Sequence, residues 1–325
     1  MHHTSSYPLP PFSFDDFKLK AKIDFITVGL PTSIKTPLDG HRFLSAIRGR
    51  VHVVKRWRDS RDDWITIHDP HRDDLQYLLD NYPDTEILAL EIAVDFFLKD
   101  GTNDLERLQS AHRHFTINLF PQRHQRLAAG AQRKIYADDG KIRPDTMKTG
   151  SGGRSVYWTN ATGWEQVRLY VKTRDNKKPI ERHSTRLEVS LSRGGCQRTG
   201  IDRVCLLPDF SKRVRRYLSP FFKVAAGIKP DKLRTRAKNP DRASRVAKEN
   251  ERARKTAERS YMRFGAAWAA RHHKKIIIDT QTSAAIGASL KGLREQLADL
   301  ELPKKSADSL DRWGPESPMY RGISE

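Results

Sequence analysis

Apolar residues recur at every second position in three stretches of this chain. Val167, Leu169 and Val171 alternate with Gln166, Arg168, Tyr170 and Lys172. Leu187, Val189 and Leu191 alternate with Arg186, Glu188, Ser190 and Ser192. Between Ile87 and Leu98 one parity is wholly apolar, and the other carries Glu91 and Asp95 with small Ala93 between them. A period of two marks a strand with one buried face and one open face. Placed in one sheet, the three strands would gather Glu91, Asp95, Arg168, Tyr170, Lys172, Arg186 and Glu188 on a shared face.

The remaining pattern predicts what surrounds that sheet. Lys22–Leu30 reads as a first strand, ended by Pro31 and the turn-prone run Pro37–Gly40. His41–Ile47 reads as a short helical piece. Val51–Trp57 and Trp64–His68 read as strands joined by the charged turn Arg58–Asp63. A helix is expected at Asp74–Leu79 and another from Leu105 to about Leu119, capped by Asn103 or Asp104. Pro121–Gly153 is a basic, loop-rich stretch. Arg154–Thr159 forms a hairpin with the Gln166–Lys172 strand across Asn160–Gly163. A linker at Asp175–Pro179 precedes the Thr185–Ser192 strand. Ala243–Ala270 is free of proline and rich in Ala, Arg, Lys and Glu, so it reads as one long helix. Tyr261, Phe264 and Trp268 form a stripe on it, and Gly265 weakens it locally. Ser289–Leu300 reads as a last amphipathic helix.

These elements predict an α+β fold. Helices cover one face of antiparallel sheet, the site lies on the open face, and a basic helical extension follows. The expected organisation is a disordered lead over residues 1–20 and a catalytic domain over 21–225. A basic helical segment over 226–278 follows, then a helix and a disordered tail over 279–325.

Charge sharpens this picture. The chain has 325 residues, a formal net charge of +20 and a pI near 10.0. Lys212–Lys275 holds 21 Lys or Arg against 5 Asp or Glu, a net of +16. Such a field selects a polyanion, nucleic acid first and an acidic membrane second. No apolar run reaches the roughly 18 residues that span a bilayer, and the segment Met1–Phe12 has no apolar signal core. Cys196 and Cys205 make no disulfide framework, which suits a reducing cytoplasm.

The loaded face offers chemistry. Tyr170 lies between Arg168 and Lys172, and neighbouring cations favour a phenolate and attract phosphate. Glu91, Asp95 and Glu188 are oxygen donors of the kind that hold Mg²⁺ or Mn²⁺. The plain alternative is a sheet face of cross-strand ion pairs with Arg168, Lys172 and Arg186, and a tyrosine that only packs. Tyr157, also in an alternating strand, has Ser155 and Thr159 beside it and no such charges. His112 and His114 lie two apart on a helix and share no face.

Taken in order, KIDFITVGL, LEIAVDFF, RSVYWTN, VRLYVKTRD and TRLEVSLSR resemble the replication initiation factor family. Its members are rolling-circle initiators of small plasmids and filamentous phages. The resemblance covers roughly Lys22–Arg193. By position, Tyr170 matches the family's nicking tyrosine, Lys172 the lysine after it, and Glu91, Asp95 and Glu188 the acidic metal positions. Glu91 stands where aspartate is usual, and Thr159 where glycine is usual.

The resemblance implies an enzyme that nicks one strand of its origin DNA by tyrosine attack, with Mg²⁺ or Mn²⁺. Arg168 and Lys172 would steady the phosphate and favour the phenolate. It also implies a host helicase and DNA polymerase as partners, and it allows a homodimer. A non-catalytic origin- or operator-binding regulator is the alternative from another class. A tyrosine recombinase is a weaker third reading, since its arginine–histidine constellation is not recognisable.

Overall fold

The structure is a computed structural model. It describes residues 10–29, 45–54, 64–119, 133–136, 142–143, 155–159, 164–175, 178–229, 240–264, 266, 275–297 and 300. Strands β1 (Phe17–Gly29), β2 (Arg50–Val54), β3 (Trp64–His68), β4 (Ile87–Leu98), β5 (Arg133–Tyr136) and β6 (Ile142–Arg143) are followed by β7 (Ser155–Thr159), β8 (Glu165–Asp175) and β9 (Lys178–Ser192). They form one sheet in the order β2-β3-β1-β4-β9-β8-β7-β5-β6. The β1–β3, β2–β3, β5–β6, β5–β7 and β7–β8 pairs are antiparallel. A separate antiparallel pair is made by β10 (Ala225–Lys229) and β11 (Lys275–Ile278). The helices are α1 (Arg72–Asn81), α2 (Leu105–Asn118), α3 (Arg193–Thr199), α4 (Leu207–Leu218), α5 (Pro240–Phe264), α6 (Thr280–Ser289) and α7 (Lys291–Leu297). The fold is therefore α+β, and the three alternating strands β4, β9 and β8 are neighbours in it.

Several boundaries moved for physical reasons. β1 starts at Phe17, five residues before the expected Lys22, so the lead is not disordered from Pro10 onward. The Phe12 ring stacks on Phe17 and on His114, and Phe17 is buried, so apolar burial orders this segment. β8 runs to Asp175 and β9 starts at Lys178, so Asp175, Lys178 and Pro179 of the expected linker belong to strands. Pro121–Gly153 contains β5 and β6, which are too short to show a period in sequence. A helix, α6, precedes the last predicted one, and α5 ends at Phe264, just before Gly265. Phe264 and Trp268 of the predicted stripe, most of His41–Ile47 and the tail from Pro303 lie outside the described residues or side chains.

The chain forms two compact units whose boundaries fall within β1 and β4 and near the end of β9. The first comprises residues 1–22, 92–190 and 215–292. In it Thr185 of β9 donates a 2.7 Å bond to the Leu108 carbonyl of α2, and Phe115 of α2 lies 4.7 Å from Phe96 of β4. Thus α2 covers the apolar parity of β4 and β9. Asp104 caps α2 by accepting from the Glu106 and Arg107 amides. Ile117, Ala225, Tyr261 and Ala266 form a further core against Ile276 and Ile278.

The second unit comprises residues 23–91, 191–214 and 293–325. Its β2 and β3 run antiparallel, with Val54 opposite Trp64. The buried Asp74 carboxylate of α1 accepts from the Arg48, Gly49 and His71 amides at 2.6, 3.0 and 2.8 Å. A Cβ on Gly49 would meet Ile67 at 2.8 Å, so only glycine fits there. Gly200, at φ 68°, ends α3 in the left-handed region.

Candidate active site

The alternation in β8 buries Val167 and Leu169 and leaves Arg168, Tyr170 and Lys172 partly exposed on the other face. β9 lies beside β8 and turns Arg186 and Glu188 to that same side, opposite Thr185, Leu187 and Val189. β4 contributes Glu91 and Asp95. Sequence pattern suggests one open face, but its acidic side is closed: exposure is 6% at Glu91, 3% at Asp95, 3% at Arg186 and 0% at Glu188. The two guanidiniums and the Tyr170 phenol lie against the Asp95 and Glu188 carboxylates.

The Tyr170 hydroxyl donates a 2.7 Å hydrogen bond to Glu188 Oε1. Arg168 holds the other oxygen, Oε2, through Nε and Nη2. The Arg168 guanidinium also sits 4.8 Å from the Tyr170 ring centroid. On the far side of Glu188, Arg186 Nη1 is 3.5 Å from Oε1. Arg186 then grips Asp95 with two parallel bonds, Nε to Oδ1 at 2.7 Å and Nη2 to Oδ2 at 2.6 Å. Ser184 donates a third bond to Asp95 Oδ1 at 2.7 Å. Fork-to-fork pairing of this kind fixes orientation as well as charge.

Electrostatics around Tyr170 differ from the expectation that cations would favour its phenolate. Burial pushes the phenol well above its usual range, and the Glu188 carboxylate pushes it further. Arg168 and Arg186 pull the other way and do not prevail. The tyrosine therefore rests protonated, with its proton already aimed at an acceptor. Lys172 lies 4.0 Å from Asp175 on its own strand.

Asp24 and Glu91 in the second unit and Glu188 in the first are carboxylates, and oxygen donors of this kind suit a hard divalent cation such as Mg²⁺ or Mn²⁺. Asp95, the third expected acidic position, accepts from Arg186 with both oxygens, and Glu188 likewise has both oxygens engaged by Arg168 and Tyr170. Asp24 stands in the KIDFITVGL strand, where a lone carboxylate amid apolar residues was the available signal. The bond from Ser184 to Asp95 was not legible from spacing.

No protein-family model matches the chain, and no curated protein matches it. A solved rolling circle replication initiator protein from Geobacillus stearothermophilus is similar to it at a TM-score of 0.37 and 12% identity. That similarity covers 73% of this chain and 97% of the other. Among the described residues, no helix is long and apolar enough to cross a membrane.

Proposed function

We propose that this protein initiates rolling-circle replication by nicking one strand of its origin DNA through Tyr170. The observation that carries the reading is the 2.7 Å bond from the Tyr170 hydroxyl to a buried glutamate held by arginine. The order of motifs along β1, β4, β7, β8 and β9 supports it as well.

In the proposed reaction the phenolic oxygen attacks phosphorus of the scissile phosphodiester. The P–Oη bond forms, the P–O3′ bond breaks, and Glu188 takes the phenolic proton. The departing oxygen, protonated from solvent, leaves as a 3′-hydroxyl that primes synthesis. The 5′ phosphate stays on Tyr170, and the stored ester permits later rejoining. Arg168 is bonded to Glu188 Oε2 and presents positive charge beside the phenol, where the phosphate must come. Lys172 adds charge one strand step further on. Asp24, Glu91 and Glu188 would hold the divalent cation, which when bound supplies Lewis-acid polarisation of a phosphoryl oxygen. In this reading Asp95 acts through Arg186, which it orients toward Glu188.

The nicking domain is assigned to residues 21–225, and the basic segment 226–278 grips the DNA. A host helicase and DNA polymerase are the partners that the family resemblance implies, and the reading allows a homodimer. The test uses supercoiled origin DNA with Mg²⁺ or Mn²⁺. Wild type is expected to yield nicked circles and a covalent adduct, and Tyr170→Phe neither. Equal adduct formation by Tyr170→Phe would remove this assignment. Binding by wild type with no nicking would make the protein a DNA-binding regulator instead.

A further inference from the structure

The basic helix α5 has two opposed faces. Val246, Ala257 and Tyr261 are buried. Tyr261 donates to Asn118 Oδ1 of α2 and packs with Ile117 and Ala225. At 3.6 residues per turn these positions share one side. Arg245, Lys248, Arg252, Lys255 and Arg259 are all exposed. Their spacings of three and four residues place them within an arc of about 80°, on the side away from Val246 and Tyr261. From Arg245 to Arg259 the row is about 21 Å long at 1.5 Å per residue.

We propose that this row is a clamp for the phosphate backbone of duplex DNA that binds without reading sequence. The inference rests on the nucleic-acid part of the functional reading and is independent of the tyrosine chemistry. Three observations favour it. First, the buried face anchors one side of a continuous helix, so the row is turned outward. Double-stranded DNA presents a matching rigid row, about one charge per 1.7 Å of its axis. Second, the row contains no aromatic residue, and grooves for single strands combine cations with aromatic stacking. Third, it offers only Lys and Arg, without the Asn or Gln that pair with adenine in a groove. Glu249, Glu251 and Glu258 flank the row. The Lys255–Glu251 pair, at 3.1 Å, is exposed, and such pairs are weak. Origin recognition would then come from another part of the chain, with α5 adding affinity to any duplex.

The experiment measures binding of a duplex containing the origin, and of an unrelated duplex, across a salt series. The background is the full chain carrying Tyr170→Phe, so that strand cleavage does not enter. Changing all five cations to Gln is expected to lower the slope of log K against log salt by about 4 to 5 on both duplexes. Circular dichroism and thermal unfolding check that the helix persists. A second variant, Arg245→Lys with R252K and R259K, retains charge and is expected to keep the full slope. An unchanged slope in the Gln variant would overturn the proposal. So would a lost slope in the Lys variant, or a loss confined to the origin duplex. Phosphatidylserine vesicles form the last arm: loss of vesicle binding with intact DNA binding would reassign the row to an acidic lipid surface. If the nicking reading fails, wild type and Tyr170→Phe simply bind alike, and the clamp stands or falls on the salt slopes alone.

Discussion

The sheet site and helix α5 use the same cations in opposite ways. Arg168 and Arg186 lie against carboxylates, each bonded to a named oxygen. Arg245, Arg252 and Arg259 stand in solvent on one side of a helix. In the sheet, low dielectric and fixed geometry give each pair a specific task, because an unpaired charge there is costly. On α5 each charge is screened and individually weak, and only the sum over the row acts at a distance. Charged residues in one chain thus divide into those that orient and those that attract. Burial, rather than residue type, makes the division.

That contrast breaks most sharply at Glu188. Glu188→Gln keeps the shape of the side chain but removes a basic oxygen. Nicking is expected to fall about 10²- to 10⁴-fold in a single-turnover assay, the range of general-base loss. Nicking at the wild-type rate would mean that the sheet charges only hold the fold, and the contrast would reduce to one of stability.

The next effect concerns Arg186 and Asp95. Arg186→Ala leaves a carboxylate buried with one hydroxyl partner, so urea unfolding is expected to show a loss of about 3–5 kcal/mol. Replacing both partners, Arg186→Met with Asp95→Leu, should recover much of that loss. Arg252→Ala on α5 should change stability by less than about 0.5 kcal/mol. Equal losses at Arg186 and Arg252 would contradict the division.

The smallest effect tests the anchor beneath α5. Burial lowers the His114 pKa to about 4 from 6.5, and the nearby Asp279 charge opposes this only in part. His114 accepts from Asn118, whose carbonyl oxygen receives the Tyr261 hydroxyl. Between pH 6.5 and 4 the unfolded chain binds a proton at this position that the folded chain does not. Stability therefore falls as pH drops through that window, by an amount on the order of 1–3 kcal/mol. His114→Phe, which retains an aromatic ring beside Phe12, should flatten this part of the pH–stability curve. An unaltered curve would place the titration elsewhere.

Much of the fold could be read along the chain. The limits of β4 match the expected Ile87–Leu98, and the β7–β8 hairpin has its expected pairing, because long alternating runs leave little choice of register. Strands of only two to four residues, such as β5, β6 and β11, are too short for an alternation to stand out and left no trace. The early start of β1 was hidden because Phe12 and Phe17 find partners on α2 and within their own segment, far from any strand pattern. At the site, the residues that share a face were legible, since parity alone sets faces. Which acid faces which arginine was not.

Pattern and composition along the chain are enough to give β4, β8 and β9 an apolar and a charged face each, and to locate the excess positive charge in Lys212–Lys275. These follow from periodicity and composition, which are properties of the chain. Three-dimensional packing is needed to pair Asp95 with Arg186 and to aim the Tyr170 hydroxyl at Glu188. It also reversed the expected sign at the phenol. Cations adjacent in sequence promised an acidic tyrosine, but burial and a carboxylate from the neighbouring strand outweigh them. Distances across strands and loss of water control such energies, and neither is written in local sequence.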